Sequence, residues 1–463
     1  MISLIDDTIA AISTPLGEGG IGIIRVSGNE SFAIAKKIFR PAKDQDWSLG
    51  RGHRLLYGHV YDQNNKIVDE VLLGVMRAPH TFTREDIVEF NCHGGIVPLR
   101  KTLELILQKG ARLAEPGEFT KRAFLNGRLD LAQAESVIDI IRAKTGAGLD
   151  VAMNQLKGEL SERVGKLQAN LLDVMAHIEI SIDFSEDELG EAPVDELKVQ
   201  VKKSLEEIEE LLQRAEAGKV YREGIHTVIV GKPNVGKSSL LNGLLRDKRA
   251  IVTEIPGTTR DIIEEILNIR GIPLRLVDTA GLRNTDDIVE RIGVERSREL
   301  VKKGELILFV LDASKNLDNE DQEIINLIKE KKGIVIFNKI DLGKYRGLES
   351  QVRKYLPSWF LVEISALKKE GLSELENKIE ELILGGNITA SDSLLISNVR
   401  HRDALHRSAN HLKDVLSAMD AGVPVDLLVI DVRGAWEALG EITGETVSED
   451  LVDKIFSDFC VGK

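Results

Sequence analysis

The stretch Gly231-Lys-Pro-Asn-Val-Gly-Lys-Ser238, placed directly after the apolar run Val228-Ile-Val230, constrains this chain more than any other. It satisfies the pattern G-x-x-x-x-G-K-[ST] in the required setting, a β-branched strand feeding a glycine loop. The following Ser239–Leu245 stretch reads as a helix. Gly231 and Gly236 let the backbone curl so that its N–H groups face phosphate oxygens. Lys237 supplies a point charge for the β/γ oxygens and Ser238 a hydroxyl for Mg²⁺, with Asn234, Val235 and Ser239 completing the contact set. Taken alone, the match is also compatible with a chance glycine turn.

Three later stretches remove that alternative. Asp278-Thr279-Ala280-Gly281 follows the strand-like Pro273–Val277, which puts a carboxylate near the metal and Gly281 near the γ-phosphate. Asn338-Lys339-Ile340-Asp341 follows Gly333–Phe337, and the Asp341 carboxylate matches the two N–H donors of a guanine edge, a pair adenine lacks. Ser365 and Ala366 close a base pocket after Phe360–Ile364. Each could be a polar turn after a strand; four in order describe a P-loop domain for guanine nucleotides.

The chain has 463 residues, enough for about three domains. Its net charge of −14 gives no overall field for nonspecific nucleic-acid binding, so RNA contact requires a local basic patch. Two cysteines, Cys92 and Cys460, exclude a disulfide framework and point to a reducing, cytoplasmic setting. No apolar run is long enough for a membrane span, and Met1–Asp7 lacks the basic start of a signal peptide.

Residues 1–118 alternate strands with helices, an α+β pattern: a strand at Ile21–Val26, a helix at Ser31–Phe39, paired strands at Tyr57–Tyr61 and Val68–Met76, a strand at Ile87–Phe90 and a helix at Pro98–Gln108. Cys92 and His93, without a partner cluster, read as a turn beside a buried thiol rather than a metal site. Residues 119–215 are helical, with one stripe from Leu156 to Ile182 and another from Leu197 to Leu212. The nucleotide domain then occupies 216–384, and helices resume over 385–463 at His401–Met419, Pro424–Ile442 and Ser448–Phe459. The expected fold is multidomain α/β plus α, with a doubly wound P-loop domain inserted into a helical bundle whose two halves bury each other's stripes.

The whole chain resembles the MnmE (TrmE) family of tRNA-modification GTPases. Besides the nucleotide motifs, the resemblance rests on Gly19–Gly28, Phe82–Glu89, Pro116–Asp130 and the terminal Cys460-Val-Gly-Lys463. It implies a first domain that binds a folate carrying a one-carbon unit, 5-formyl- or methylene-tetrahydrofolate, and forms a constitutive homodimer. It also implies partnership with the flavoprotein MnmG in modifying carbon 5 of the wobble uridine of certain tRNAs. By position, Arg25, Glu89, Arg128 and Lys463 face the folate, with Arg128 standing where some members carry lysine. A donor-rich pterin edge suits a carboxylate such as Glu89, and a glutamate tail suits arginine or lysine; the plainer reading is solvated surface charge. Cys460, near a polar tail, is read either as a nucleophile or as a small buried apolar residue.

The residue after Asp278–Gly281 is Leu282, which cannot orient water as the glutamine of many GTPases does. Asn234 matches the asparagine that holds K⁺ beside the β/γ-phosphates in potassium-activated GTPases, with Thr253, Ile255 and Thr258 expected to complete the cation site and Thr259 to join Ser238 on Mg²⁺. K⁺ there supplies the positive charge of an arginine finger. The resemblance makes Glu290 the water-positioning carboxylate, so the expected catalytic set is Glu290, Lys237 and Asn234; without it, Glu290 reads as a helix first-turn acid. The alternative function is a GTP-switched ribosome-assembly factor, a class that usually adds a compact basic RNA-binding domain. Folate binding separates the two.

Overall fold

The computed structural model describes residues 7–43, 47, 52–183, 194–245, 265–277, 301–385 and 396–463. Alternation of apolar residues in the first part produces β1 (Ile9–Ile12), β2 (Gly19–Ser27), β3 (Phe39–Pro41), β4 (Arg54–Tyr61), β5 (Ile67–Met76), β6 (Ile87–Gly94) and β7 (Arg112–Leu113). They form one sheet in the order β3-β4-β5-β6-β2-β1-β7. Helices α1 (Ser31–Ile38) and α2 (Ile96–Gln108) bury Phe32, Ile34, Leu99 and Ile106 against Ile24, Val26, Leu73 and Phe90. Side chains on the opposite face alternate outward, leaving Leu55, Tyr57 and Leu72 exposed.

The Cys92–His93 pair is in strand rather than in a turn, because β6 continues to Gly94 and sets Cys92 opposite Gly22 and His93 opposite Ile21 of β2. Burial pushes the Cys92 thiol up to about 12, which makes it an inert core group. His93 Nδ1 is 2.6 Å from Asp69 Oδ1, and among the described residues no cluster of three metal-ligating side chains occurs.

The helical part begins with α3 (Glu118–Leu125), α4 (Leu131–Arg142) and α5 (Gly146–Leu156), then α6 (Glu159–Asp183) and α7 (Val194–Glu223). A capping box starts α4: Asp130 accepts from the Gln133 N–H at 2.8 Å, and Gln133 Oε1 accepts from the Asp130 N–H at 3.0 Å. The stripe expected to run unbroken from Leu156 is interrupted by Gly158, whose φ of +90° ends α5, while Gln133 Nε2 caps the carbonyl of Leu156 at 2.9 Å. The periodicity survives the break and conceals it.

The nucleotide-binding part contains β8 (Ile225–Val230), α8 (Lys237–Leu245), β9 (Glu265–Ile269), β10 (Ile272–Leu276), β11 (Leu306–Asp312), α9 (Asn319–Ile328), β12 (Gly333–Asn338), α10 (Leu348–Tyr355), β13 (Phe360–Glu363) and α11 (Leu372–Leu384). The sheet order is β13-β12-β11-β8-β10-β9, parallel except for the antiparallel β9–β10 pair. β11 and β12 are buried along their whole length, as a sheet covered on both faces requires.

The chain then returns to helix: α12 (Val399–Asp420), α13 (Val425–Thr443) and α14 (Glu449–Ser457). Leu160, Val164, Leu171 and Ile178 of α6 and Val201 and Ile208 of α7 share one core with Leu405, Leu412, Val432 and Leu439 of α12 and α13. Both halves of the helical part are thus needed to close it. α7 runs unbroken across residues 215 and 216, so its last turns place Ala217 and Tyr221 in the core of the nucleotide-binding part. The C-terminal tail returns to the first part, where Val461 bridges Pro116 and the Lys463 carbonyl accepts from the Phe119 N–H at 3.2 Å. No helix of the described residues is long and apolar enough to cross a membrane.

Candidate functional site

The Gly231–Ser238 loop joins the end of β8 to α8. Asn234 is a non-glycine residue at φ +61°, a conformation asparagine tolerates because its short side chain hydrogen-bonds locally. Lys237 donates to the carbonyls of Gly231 at 2.8 Å and Lys232 at 2.7 Å, so its ammonium lies across the loop, and burial lowers its pKa. Ser238 and Ser239 occupy the first turn of α8, where backbone N–H groups lack helical partners and favour anions.

The base-binding side is tied to this loop by one side chain. Asn338, at the end of β12 and 2% exposed, donates from Nδ2 to the Val235 carbonyl at 2.8 Å and accepts the Ala366 N–H on Oδ1 at 3.0 Å. A Cβ on Gly236 would come within 2.1 Å of Asn338 Nδ2, and its φ is +100°, so both the contact and the backbone demand glycine. Ser365 Oγ donates to Asp341 Oδ1 at 2.7 Å and accepts the Lys368 N–H at 3.2 Å. Lys339 stands at φ +65° and reaches Asp312 Oδ2 at 2.8 Å. Burial pushes the Asp312 carboxyl up, but Lys339 and Ser314 outweigh it and hold it below the usual range. Asn234, Val235, Gly236, Lys237, Asn338, Lys339, Asp341, Ser365 and Ala366 therefore converge on one end of the sheet, at the carboxyl ends of parallel strands. Asp278, Thr279, Ala280, Gly281, Leu282, Glu290, Thr253, Ile255, Thr258 and Thr259 lie outside the described residues.

Two elements of this site escape the sequence reading. Lys232, inside the loop, is held by both Asp318 and Asp321 at the start of α9, with Asp321 Oδ2 at 2.8 Å. Burial pulls the Lys232 ammonium down, yet the two carboxylates hold it above the ordinary lysine value. The capping-box spacing of Asp318 and Asp321 before an apolar stretch was the available signal. Asp312, at the end of an apolar strand, was another.

The four residues expected at the folate also come together. Arg25 on β2 and Glu89 on β6 are directly opposite in register, with Nε–H donating to Oε1 at 2.8 Å. The Arg25 guanidinium lies 5.6 Å from the ring centres of both Phe82 and Phe119, and the Arg128 guanidinium lies 4.8 Å from Phe82. The carbonyl of Lys463 is bonded to the backbone of that same Phe119. Arg25, Glu89 and Arg128 thus gather around the rings of Phe82 and Phe119. Nearby, Arg122 is 1% exposed and bonded to Asp7, Glu85 and Glu118. Cys460 is exposed rather than buried, and its carbonyl accepts the Gly117 N–H at 3.3 Å.

A third buried polar cluster sits where the helical part meets the nucleotide-binding part. Glu135 of α4 accepts from Arg400 at 3.0 and 2.7 Å and lies 2.7 Å from His401 Nε2, while Asp139 accepts from Arg222 of α7 at 2.8 Å. Burial pushes Glu135 up, but His401 and Arg400 outweigh it and hold its pKa at about 2. Burial holds His401 below its ordinary value.

Comparison with known proteins identifies the family. The family model described as "GTP-binding protein TrmE N-terminus" matches residues 8–128, and that described as "MnmE helical domain" matches residues 131–460. A Desulforamulus reducens protein named tRNA modification GTPase MnmE is 54% identical over 461 residues, covering 99% of this chain and 100% of its own. The Bacillus licheniformis protein of the same name is 52% identical over 459 residues, covering 99% and 100%. Among solved structures, Aquifex aeolicus Era bound to GDP and AlF4⁻ is 31% identical over 40% of this chain and 66% of that one, with a TM-score of 0.27. With two family models spanning its described domains and full-length relatives at more than half identity, the chain belongs to the MnmE (TrmE) family.

Proposed function

We propose that this protein is a GTP hydrolase acting in tRNA modification, in which hydrolysis drives conformational coupling between the nucleotide-binding and helical parts. The observation that carries the reading is the Asn338 bridge, which sets the phosphate loop and the Asp341–Ser365 base loop at one fixed spacing. Lys237 exchanges the carbonyls of Gly231 and Lys232 for the β/γ oxygens of GTP, stabilising charge that develops there. Ser238 and Thr259 would hold Mg²⁺, and Asn234 with Thr253, Ile255 and Thr258 would hold K⁺; when bound, these cations would add positive charge beside the β/γ-phosphates. Asn234 stands at φ +61°, a left-handed backbone that asparagine tolerates better than most residues. Glu290 is assigned to orient the attacking water.

The pocket around Arg25, Glu89, Arg128 and Lys463 suits a one-carbon folate: the carboxylate faces pterin donors, Phe82 and Phe119 offer ring faces, and the guanidinium groups match a glutamate tail. The exposed apolar side chains of β4 and β5 support a homodimer through this sheet. In the cell, the reading places the protein in the cytoplasm with MnmG, acting on carbon 5 of the wobble uridine. The decisive experiment is GTP turnover in K⁺ against Na⁺, with and without the flavoprotein partner. Turnover should be high only in K⁺, and Asn234→Ala should abolish that difference while leaving GTP binding within a few-fold. Equal rates in both salts would exclude the cation assignment.

A further inference from the structure

The hairpin formed by β9 and β10 lies between the two sequence segments assigned to metal and γ-phosphate, ending one residue before the Val277–Asp278 junction. In its turn, Arg270-Gly271, the Arg270 side chain is exposed, while Gly271 docks on the helical part. The Thr145 hydroxyl donates to the Gly271 carbonyl at 2.7 Å, and its oxygen also accepts the Gly148 N–H at 3.1 Å as the N-cap of α5. One hydroxyl thus serves both a helix start in the helical part and a turn in the nucleotide-binding part.

The approach is as close as backbone allows. Gly271 has φ +91°, and a Cβ there would stand 2.7 Å from the Ala147 Cβ. Behind it, Val151 of α5 and Tyr221 of α7 are buried in the same core as Leu267, Ile269 and Leu274 of the hairpin. The helical part contributes side chains to the core that sets the hairpin's position, and α7 continues into β8 and the phosphate loop. Packed interfaces of this kind switch between discrete arrangements instead of deforming continuously.

We propose that Thr145 is a positioning residue for GTP hydrolysis: by latching the Gly271 turn to α5, it fixes the β9–β10 hairpin, whose β10 strand pairs with β8, the strand that leads into the Gly231–Ser238 loop. This rests on the GTPase reading above. Thr145 caps α5 in the helical part and belongs to neither the Gly231–Ser238 loop nor the Asn338–Asp341 stretch, so its effect is expected in kcat and not in nucleotide affinity.

The test compares steady-state GTP hydrolysis in the full-length protein with Thr145→Val, which is isosteric but lacks the donor, and Thr145→Ser, which keeps it. The expected result is a fall in kcat of about fivefold for Thr145→Val, which loses both the bond to Gly271 and the cap on the Gly148 N–H, with KM within twofold and Thr145→Ser near wild type. Gly271→Ala should reproduce the loss, and Ala147→Gly in that background should recover part of it by removing the steric clash. Thr145→Val with wild-type kcat would overturn the inference. So would equal losses in Thr145→Val and Thr145→Ser that follow melting temperature alone, since that pattern marks a merely structural residue. A wild-type protein that hydrolyses no GTP would instead condemn the functional reading itself.

Discussion

Asn338 Nδ2 donates to the Val235 carbonyl at 2.8 Å across the top of the nucleotide-binding sheet, joining residues 103 apart in sequence. The same side chain accepts from Ala366 N–H, so a single amide sets the distance between the loop for phosphate and the loop for base. Asn338→Asp keeps the acceptor but replaces the donor with an oxygen facing the Val235 carbonyl. Losing one buried hydrogen bond and leaving its partner unsatisfied costs about 1–3 kcal/mol. GTP and GDP affinity should fall at least about tenfold, measured by titration with a fluorescent guanine nucleotide. Unchanged affinity would show that the bridge does not preorganise the site.

Asp341→Asn addresses base choice. Its carboxylate accepts from Ser365 Oγ at 2.7 Å, beside the loop proposed to hold the base. The amide loses an acceptor for guanine's donors and gains a donor for the oxygen that xanthine carries instead. Xanthosine triphosphate should become the preferred substrate in competition with GTP. A variant retaining the wild-type guanine preference would remove Asp341 from base recognition.

Glu89→Gln is the corresponding change in the first part. It keeps shape but removes the charge that pairs with Arg25 at 2.8 Å and that would accept pterin N–H groups. Tetrahydrofolate derivatives should bind at least about tenfold more weakly by isothermal titration, while GTP turnover stays at the wild-type rate, because charge-assisted hydrogen bonds contribute about 1.5–3 kcal/mol. Equal folate affinity in the two proteins would return these residues to the role of a surface ion pair.

Acid should destabilise the junction between the helical and nucleotide-binding parts. His401 is completely buried and faces Glu135, Arg400, Gln155, Arg222 and Asp139. Burial lowers its pKa below the ordinary 6.5, so the unfolded chain binds a proton that the folded chain refuses. The resulting stability is full above 6.5 and is lost as pH falls from there toward the folded value. Glu135 acts in the same direction at lower pH: held at about 2 against an ordinary 4.5, it contributes above 4.5 and is lost between the two. Melting temperature should therefore decline from pH 7 to pH 5 more steeply in wild type than in His401→Gln, measured in one buffer series. Parallel curves would show that His401 is not the group responsible.

The elements that meet at the candidate nucleotide site were legible in the sequence because each is local. A phosphate loop needs glycines and a lysine at fixed spacing on contiguous backbone, and the base-reading carboxylate must follow a strand end, so Gly231–Ser238, Asn338–Asp341 and Ser365–Ala366 announce themselves. Helical stripes were legible for the same reason, since a 3.6-residue period is written along one segment. That period is blind to a break preserving phase, which is how Gly158 escaped notice. Only the tertiary structure could place Asp318 and Asp321 on Lys232, Arg25 opposite Glu89, Arg400 and His401 on Glu135, or Thr145 on Gly271. These pairs lie 64 to 266 residues apart, and nothing in either residue's neighbourhood names its partner. A charged or hydroxyl side chain alone reads as solvated surface. Burial and a partner at hydrogen-bond distance turn it into structure, and both are properties of packing, which no single stretch of chain contains.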